Sequence, residues 1–285
     1  MVATGIRTSD LTARARVKGF CSRELGPAEI NSVLRDMKFG KRLKEQIEET
    51  LPAWRDEFLS YKDLKQLVKL IPEAQPCSKV EAEFIELLNF EIDKLNAFFV
   101  GREEEFIIRQ RHLQEMVKRV AEMYQARGRE EEYAKEMSRI RKEIVNLHGE
   151  MVLLENYSSI NYIGLAKILK KYDKRSGRLL RLLFIEKILK QPFFTTDLIS
   201  KLVKECESMI DLVFPSESDH QQLKPEDKRK LVGEEQSIFR STVVALVTMQ
   251  EMRKGSSTYG QFSLPPLSLP DNLLQSLQPT PIPIP

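Results

Sequence analysis

Hydrophobic positions recur at mixed spacings of three and four along two long stretches of the chain, which is the period of an α-helix. The first stretch runs from about Val80 to Arg127, and the second runs from Tyr133 to Leu154. In the second stretch the apolar residues alternate strictly by four and three, as in a heptad seam. A break at Gly128, between two arginines, predicts a turn. The pattern therefore predicts an antiparallel, coiled-coil-like hairpin of two long helices.

Shorter amphipathic segments flank the hairpin. Two short helices are predicted before it, over about residues 41–50 and from near Pro52 to Ile71. A lysine-rich helix is predicted to start near Ser158 and Ser159, with Asn161 as an alternative cap. Further helices are predicted over about residues 179–190, 196–209 and 234–253. No strand pattern is present, so the predicted fold is an all-α bundle with smaller helices packed on one end of the hairpin.

Composition divides the chain into four parts. Residues 1–36 mix Ser, Thr and Arg with few sustained apolar positions and predict a poorly ordered extension. Residues 37–209 carry the helical patterns of one folded domain, and residues 210–254 read as a polar linker and a last helix. Residues 255–285 are rich in Ser and Pro, which predicts a disordered tail.

Net charge, cysteine and histidine content, the length of apolar runs and the motifs present exclude several classes of function. A formal net charge of +3 over 285 residues does not indicate a general nucleic-acid binder, so any basic site must come from clustering. Three scattered cysteines favour a reducing compartment. No apolar run approaches a membrane span. The three histidines are not paired at ligand spacing, and no catalytic or nucleotide-binding motif appears, so we expect no enzyme, metal or cofactor.

The most informative cluster is a row of four lysines at i, i+3, i+4 and i+7. Lys167, Lys170, Lys171 and Lys174 share one face of the predicted lysine-rich helix, and the opposite face is apolar. Like charges at i,i+4 destabilise a helix by about 0.2–0.5 kcal/mol per pair. The row is therefore best explained if an anion completes it.

A second basic face lies on the second short helix, where Tyr61 and Lys65 are separated by one turn. Lys38 precedes the first short helix. A tyrosine hydroxyl among lysines suits phosphate, because it adds one neutral donor of fixed geometry to mobile point charges. From periodicity alone, an equally good interpretation is that these lysines only keep a surface helix soluble.

Four separated segments carry a family resemblance. They read MKFGKRL from Met37, LPAWRDEFLSYKDLK from Leu51, NFEIDKLN from Asn89 and NYIGLAKILKKYDK from Asn161. In the amino-acid sequence of these segments and in their order along the chain, residues 37–209 resemble the SPX domain. The resemblance implies a sensor of inositol polyphosphates and pyrophosphates. Its phosphate-binding cluster would be Tyr61, Lys65 and Lys171, and its lysine surface cluster would be Lys167, Lys170 and Lys174, with Lys38 joining them.

The chain as a whole resembles a stand-alone plant SPX protein. The resemblance implies an adaptor that binds coiled-coil MYB transcription factors of the phosphate-starvation response when inositol pyrophosphate is abundant, and so represses starvation genes. It also implies a location in the nucleus, with the cytoplasm, or both compartments, as the alternative. Two alternatives stay open: a helical scaffold whose partner binding ignores small ligands, and an adaptor that marks other proteins for turnover.

Overall fold

The computed structural model describes residues 39–72, 79–127 and 130–213, together with residues 242, 245–247, 249, 250, 253 and 264. The predicted N-terminal extension, Lys38, the turn at Gly128 and the predicted tail, apart from residue 264, lie outside the described residues.

Six helices and two 3₁₀ turns make up the main described part of the chain. In order they are α1 (Phe39–Glu49), a first 3₁₀ turn (Pro52–Glu57), α2 (Tyr61–Leu70), α3 (Lys79–Arg127), α4 (Glu130–Ser176), α5 (Leu180–Ile188), a second 3₁₀ turn (Pro192–Phe194) and α6 (Asp197–Val213). No strand occurs in this part of the chain.

The two long helices α3 and α4 form an antiparallel hairpin. Arg109 in the middle of α3 pairs with Glu150 of α4, and Glu81 near the start of α3 reaches Tyr172 near the end of α4. The apolar stripes of both helices are buried between them, as their period requires. These buried residues include Phe84, Leu88, Leu95, Phe99 and Phe106 of α3, and Ile140, Ile144, Leu147, Met151 and Leu154 of α4. The prediction of an all-helical fold with a long hairpin is confirmed.

The predicted start of a separate lysine-rich helix near Ser158 and Ser159 is wrong. Helix α4 runs without interruption from Glu130 to Ser176, and both serines are buried inside it. Asn161 does not cap a helix either: its side chain bonds to the backbone of the segment before α2. Neighbouring elements cover these polar residues, so tertiary packing overrides their preference for helix ends.

The segment before the hairpin also differs from the prediction. Pro52 opens a 3₁₀ turn rather than a helix reaching Ile71. The chain becomes extended at Phe58, and α2 begins at Tyr61. Phe58 and Leu59 are buried in the core, and the backbone between the turn and α2 is bonded to side chains of α3 and α4.

The remaining described helices pack along α4. Helix α6 continues past the predicted end at Met209 to Val213, and its apolar face lies against α4. Of the predicted last helix, the described positions are helical, and Ala245, Val247 and Met249 are buried. Arg253 donates to Ser159 of α4 (2.9 Å), which places this segment beside the hairpin.

Candidate functional site

The candidate site lies where α1 and α2 pack against the C-terminal part of α4. Helix α2 presents Lys65 to solvent, and α4 presents Lys170, Lys171 and Lys174. The apolar faces beneath them are buried: Leu64 and Val68 under α2, and Leu165, Ile168, Leu169 and Tyr172 under α4. From Lys167 to Lys174 the row extends about 10 Å along the helix axis. Lys170, Lys171 and Lys174 thus occupy one exposed strip of α4, and Lys65 is exposed on the neighbouring α2.

Lys167 differs from the other lysines of the row because it is half-buried. Its Nζ lies 5.2 Å from the centroid of the Phe39 ring, in a cation–π contact with the first residue of α1. Burial lowers the pKa of Lys167, and the positive charges of Arg42, Lys170 and Lys171 lower it further. The ammonium group at this position is therefore destabilised by its surroundings, and a bound anion would relieve that cost.

Tyr61 contacts the same phenylalanine. Its ring packs edge-on against Phe39, with centroids 5.1 Å apart, and only 6% of the residue is exposed. Gly40 is adjacent: a Cβ at that position would lie 3.4 Å from the Tyr61 ring. Burial raises the pKa of Tyr61 to about 12. Near neutral pH the hydroxyl thus keeps its proton and can act as a neutral hydrogen-bond donor.

Gly164 allows α1 and α2 to approach this part of α4 closely. A Cβ built on Gly164 would lie 2.7 Å from Leu59 Cδ2 and 3.9 Å from Phe39 Cζ. The missing side chain leaves room for Leu59, which is buried two residues before Tyr61. This close contact lies about one helical turn before Lys167 and two residues before Tyr61, so it joins the two parts of the candidate site.

The acidic groups near the C-terminal end of α4 are engaged elsewhere. Asp173 accepts hydrogen bonds from the backbone N–H groups of Leu180 (2.9 Å) and Arg181 (3.2 Å) at the start of α5. Glu81 accepts from Tyr172 and forms an ion pair with Arg178 (2.6 Å). These carboxylates serve local structure, so the positive potential of the row is directed to solvent.

The structure brings most of the predicted site residues together. Tyr61 and Lys167 contact the same Phe39 ring, and Lys170 and Lys171 are close enough to lower the pKa of Lys167. Lys65 follows Tyr61 by one turn of α2, and Lys174 extends the exposed row of α4. Lys38 lies outside the described residues.

Sequence reasoning gave no role to three residues that shape the site. Phe39 supports both Lys167 and Tyr61, Arg42 adds a positive charge beside Lys167, and Gly164 permits the close approach of Leu59. All three stand inside segments that carry the family resemblance, which was the only available signal.

Other kinds of site find no support in the described ranges. There, no group of three or more His, Cys, Asp and Glu side chains could hold a metal ion. The helices described in these ranges are too short or too polar to cross a membrane. His148 lies 3.4 Å from Glu207 and His112 is exposed on α3, each on a different part of the hairpin.

Comparisons with known proteins identify the class. The SPX domain model matches residues 37–77 and 125–188. The chain is 54% identical over 264 residues to SPX domain-containing protein 3 of Oryza sativa, covering 86% of this chain and 94% of the relative. It is 55% identical over 256 residues to SPX domain-containing protein 3 of Arabidopsis thaliana, covering 87% of this chain and all of that relative. The chain belongs to the SPX domain family, as the resemblance predicted.

Among solved structures, the SPX domain of Chaetomium thermophilum glycerophosphodiester phosphodiesterase 1, in complex with inositol hexakisphosphate, is similar at 23% sequence identity. The match has a TM-score of 0.48 and covers 62% of this chain and 99% of that one.

Proposed function

We propose that this protein binds inositol polyphosphates or pyrophosphates on the basic strip formed by α2 and α4. Tyr61, Lys65 and Lys171 would form one phosphate-binding cluster, and Lys167, Lys170 and Lys174 would form a second cluster beside it. Lys38 would join them from the segment preceding α1. The observation that carries the proposal is the half-buried Lys167, which lies near other positive charges and contacts the same Phe39 ring as the Tyr61 ring.

Without a bound anion, the lysine row carries a free-energy cost. Four lysines on two turns of helix repel one another, and the Lys167 ammonium is also partly desolvated. If the lysines only kept the surface soluble, Lys167 would extend into solvent like its neighbours. A ligand with several phosphates neutralises the row through charge-assisted hydrogen bonds, each stronger than a bond between neutral groups.

Calorimetric titration with inositol hexakisphosphate, and then with an inositol pyrophosphate, tests the proposal. We expect micromolar or tighter binding, about −8 kcal/mol or better, by the unsubstituted protein. Replacing Lys167, Lys170 and Lys174 with alanine should abolish it. A matched triple replacement of Lys118, Lys135 and Lys201, three exposed lysines on other faces, removes the same charge and should leave binding within a few-fold. Equal losses in the two triple variants would reduce the effect to net charge and refute a specific site.

We further infer a regulatory rather than a catalytic role, in which the liganded protein sequesters coiled-coil MYB transcription factors of the phosphate-starvation response and represses their genes. Membership of the SPX domain family supports this role. A bound polyphosphate would also convert the basic strip of α2 and α4 into a surface that carries both positive and negative charge. This role places the protein in the nucleus, or in both nucleus and cytoplasm.

Ligand dependence separates this role from the alternatives. Capture of the MYB coiled coil should require the inositol pyrophosphate and should be lost in the variant that lacks Lys167, Lys170 and Lys174. Capture that ignores the ligand would favour a scaffold. If deletion after Val213 abolishes turnover of a bound partner but spares ligand-dependent capture, the segment beyond α6 serves as an adaptor for turnover.

A further inference from the structure

Side chains from the long helices hold the three residues that lead into α2. Leu59 N–H donates to Asn161 Oδ1 of α4 (2.9 Å), and Ser60 N–H donates to Glu91 Oε2 of α3 (2.8 Å). The Phe58 carbonyl accepts from Lys94 Nζ of α3 (3.0 Å). Three consecutive residues are therefore bound to the hairpin through their backbone atoms.

Two of these holding groups, Asn161 and Glu91, are buried although their side chains are polar, and Lys94 is partly exposed. Asn161 is 0% exposed, the Glu91 side chain is 3% exposed, and Glu91 forms an ion pair with Lys94 (2.9 Å). Burying such groups is costly unless they are satisfied by partners. Asn161 and Glu91 each accept one of these bonds from the backbone N–H groups of residues 59 and 60, so this part of the cost is offset only while the segment keeps its observed path.

The segment ends at Tyr61, which begins α2. No side chain of α2 itself caps this helix end. Glu91 replaces the missing cap from outside, with its carboxylate at the positive N-terminal end of the helix. The direction of the first turn, and hence the position of the Tyr61 ring against Phe39, is determined by α3 and α4.

Asn161 is suited to this task because one amide group supplies both an acceptor and a donor. Its Oδ1 accepts from Leu59 N–H, and its Nδ2 donates to the Tyr157 carbonyl one turn earlier on α4 (2.9 Å). The second bond fixes the amide plane, so the acceptor points toward the segment before α2. The same helix carries the lysine row about two to four turns further on.

We propose that Asn161 is a positioning residue for polyphosphate binding, which places the Tyr61 hydroxyl relative to Lys167 and Lys171 through the backbone of residues 59 and 60. Glu91 supports the same placement from α3. Asn161 itself does not contact the ligand. The inference rests on the proposed function and adds a residue that the charge pattern does not reveal.

A double-mutant cycle with Tyr61→Phe tests the inference, with inositol hexakisphosphate titrated into each variant. Asn161→Ala should weaken binding about tenfold, the loss of one well-placed bond to phosphate. In the Tyr61→Phe background the same change should weaken binding less than twofold, because the hydroxyl that Asn161 positions is already absent. A loss of equal size in both backgrounds, or no loss in a folded Asn161→Ala protein, would overturn the inference.

Two measurements keep the cycle interpretable. Trp54, the single tryptophan of the chain, is buried in the turn before this segment, and its fluorescence reports whether each variant is folded. If Asn161→Ala does not fold, Glu91→Gln takes its place in the cycle, because it removes the carboxylate charge at the start of α2 and the ion pair with Lys94, which itself holds the Phe58 carbonyl. Coupling to Tyr61 is expected there too, and its absence counts against the inference. An unsubstituted protein that fails to bind overturns the proposed function itself.

Discussion

Replacing Gly164 with alanine should separate close packing from helix propensity at the candidate site. Gly164 and Gly101 both lie in the interior of a long helix. A Cβ at Gly101 would meet nothing within 4 Å, whereas one at Gly164 would lie 2.7 Å from Leu59 Cδ2. Either alanine gains about 1 kcal/mol of helix propensity. Only the Gly164 variant must also move a buried side chain.

The magnitude follows from that contact. The new carbon would be about 0.7 Å closer to Leu59 than the 3.4 Å at which ordinary contact begins. Overpacking a core costs about 1–3 kcal/mol, and the lower half of this range applies because the clashing atom is the end of a flexible side chain. The Gly164→Ala protein should thus be about 1–2 kcal/mol less stable than the Gly101→Ala protein. It should also bind inositol polyphosphate more weakly, because Leu59 leads into Tyr61.

Urea denaturation of the two variants and the unsubstituted protein measures both effects. Gly101→Ala should raise the free energy of unfolding by about 1 kcal/mol. If Gly164→Ala raises it equally and leaves ligand affinity unchanged, then Gly164 is not a point of close approach and the reasoning is refuted.

Three further predictions concern single groups. Arg109→Met should lower the free energy of unfolding by about 1–2 kcal/mol, because Arg109 makes two bonds to the partly buried Glu150. Arg139→Met, at an exposed position, should change the free energy of unfolding by less than about 0.5 kcal/mol. Urea denaturation distinguishes these outcomes, and equal effects would contradict the difference in burial. Gly177→Ala should cost about 1 kcal/mol, since φ is +72° where α4 ends, and an unchanged thermal midpoint would contradict this strain. The pKa of Lys167 should lie below the ordinary lysine value, so its contribution to stability should rise as pH rises through the lowered folded-state pKa. An NMR titration of its side chain that shows no lowering of the pKa, or no upward shift of the pKa on adding inositol hexakisphosphate, would contradict the desolvated, cation-rich environment.

Periodicity was sufficient to predict the helical architecture, because the stripes of α3 and α4 bury each other along their length. It failed at Ser158 and Ser159, whose local preference for helix ends is overridden when neighbouring elements cover them. Such burial depends on residues distant in sequence: Arg253, for example, donates to Ser159 from 94 positions away. No local pattern contains that information.

The candidate site was predictable in its charges but not in its support. The spacing of Lys167, Lys170, Lys171 and Lys174 places them on one face of any helix, and the structure keeps them there. The inward position of Lys167 could not be predicted, because it depends on Phe39 arriving from a helix more than a hundred residues earlier. The local sequence predicts a helix cap at Asn161, because the actual partner of its side chain, Leu59, is 102 residues away and no local pattern contains it.

The most direct test of the central claim is to observe the lysine side chains while inositol hexakisphosphate is added. Heteronuclear NMR of the lysine Nζ groups should show saturable shifts at Lys65, Lys167, Lys170, Lys171 and Lys174, with one common dissociation constant. Lys118, Lys135 and Lys201 lie on other faces and should not move. Shifts spread evenly over both sets, or absent from α2 and α4, would contradict the account and reduce the lysine row to a solvated helix face.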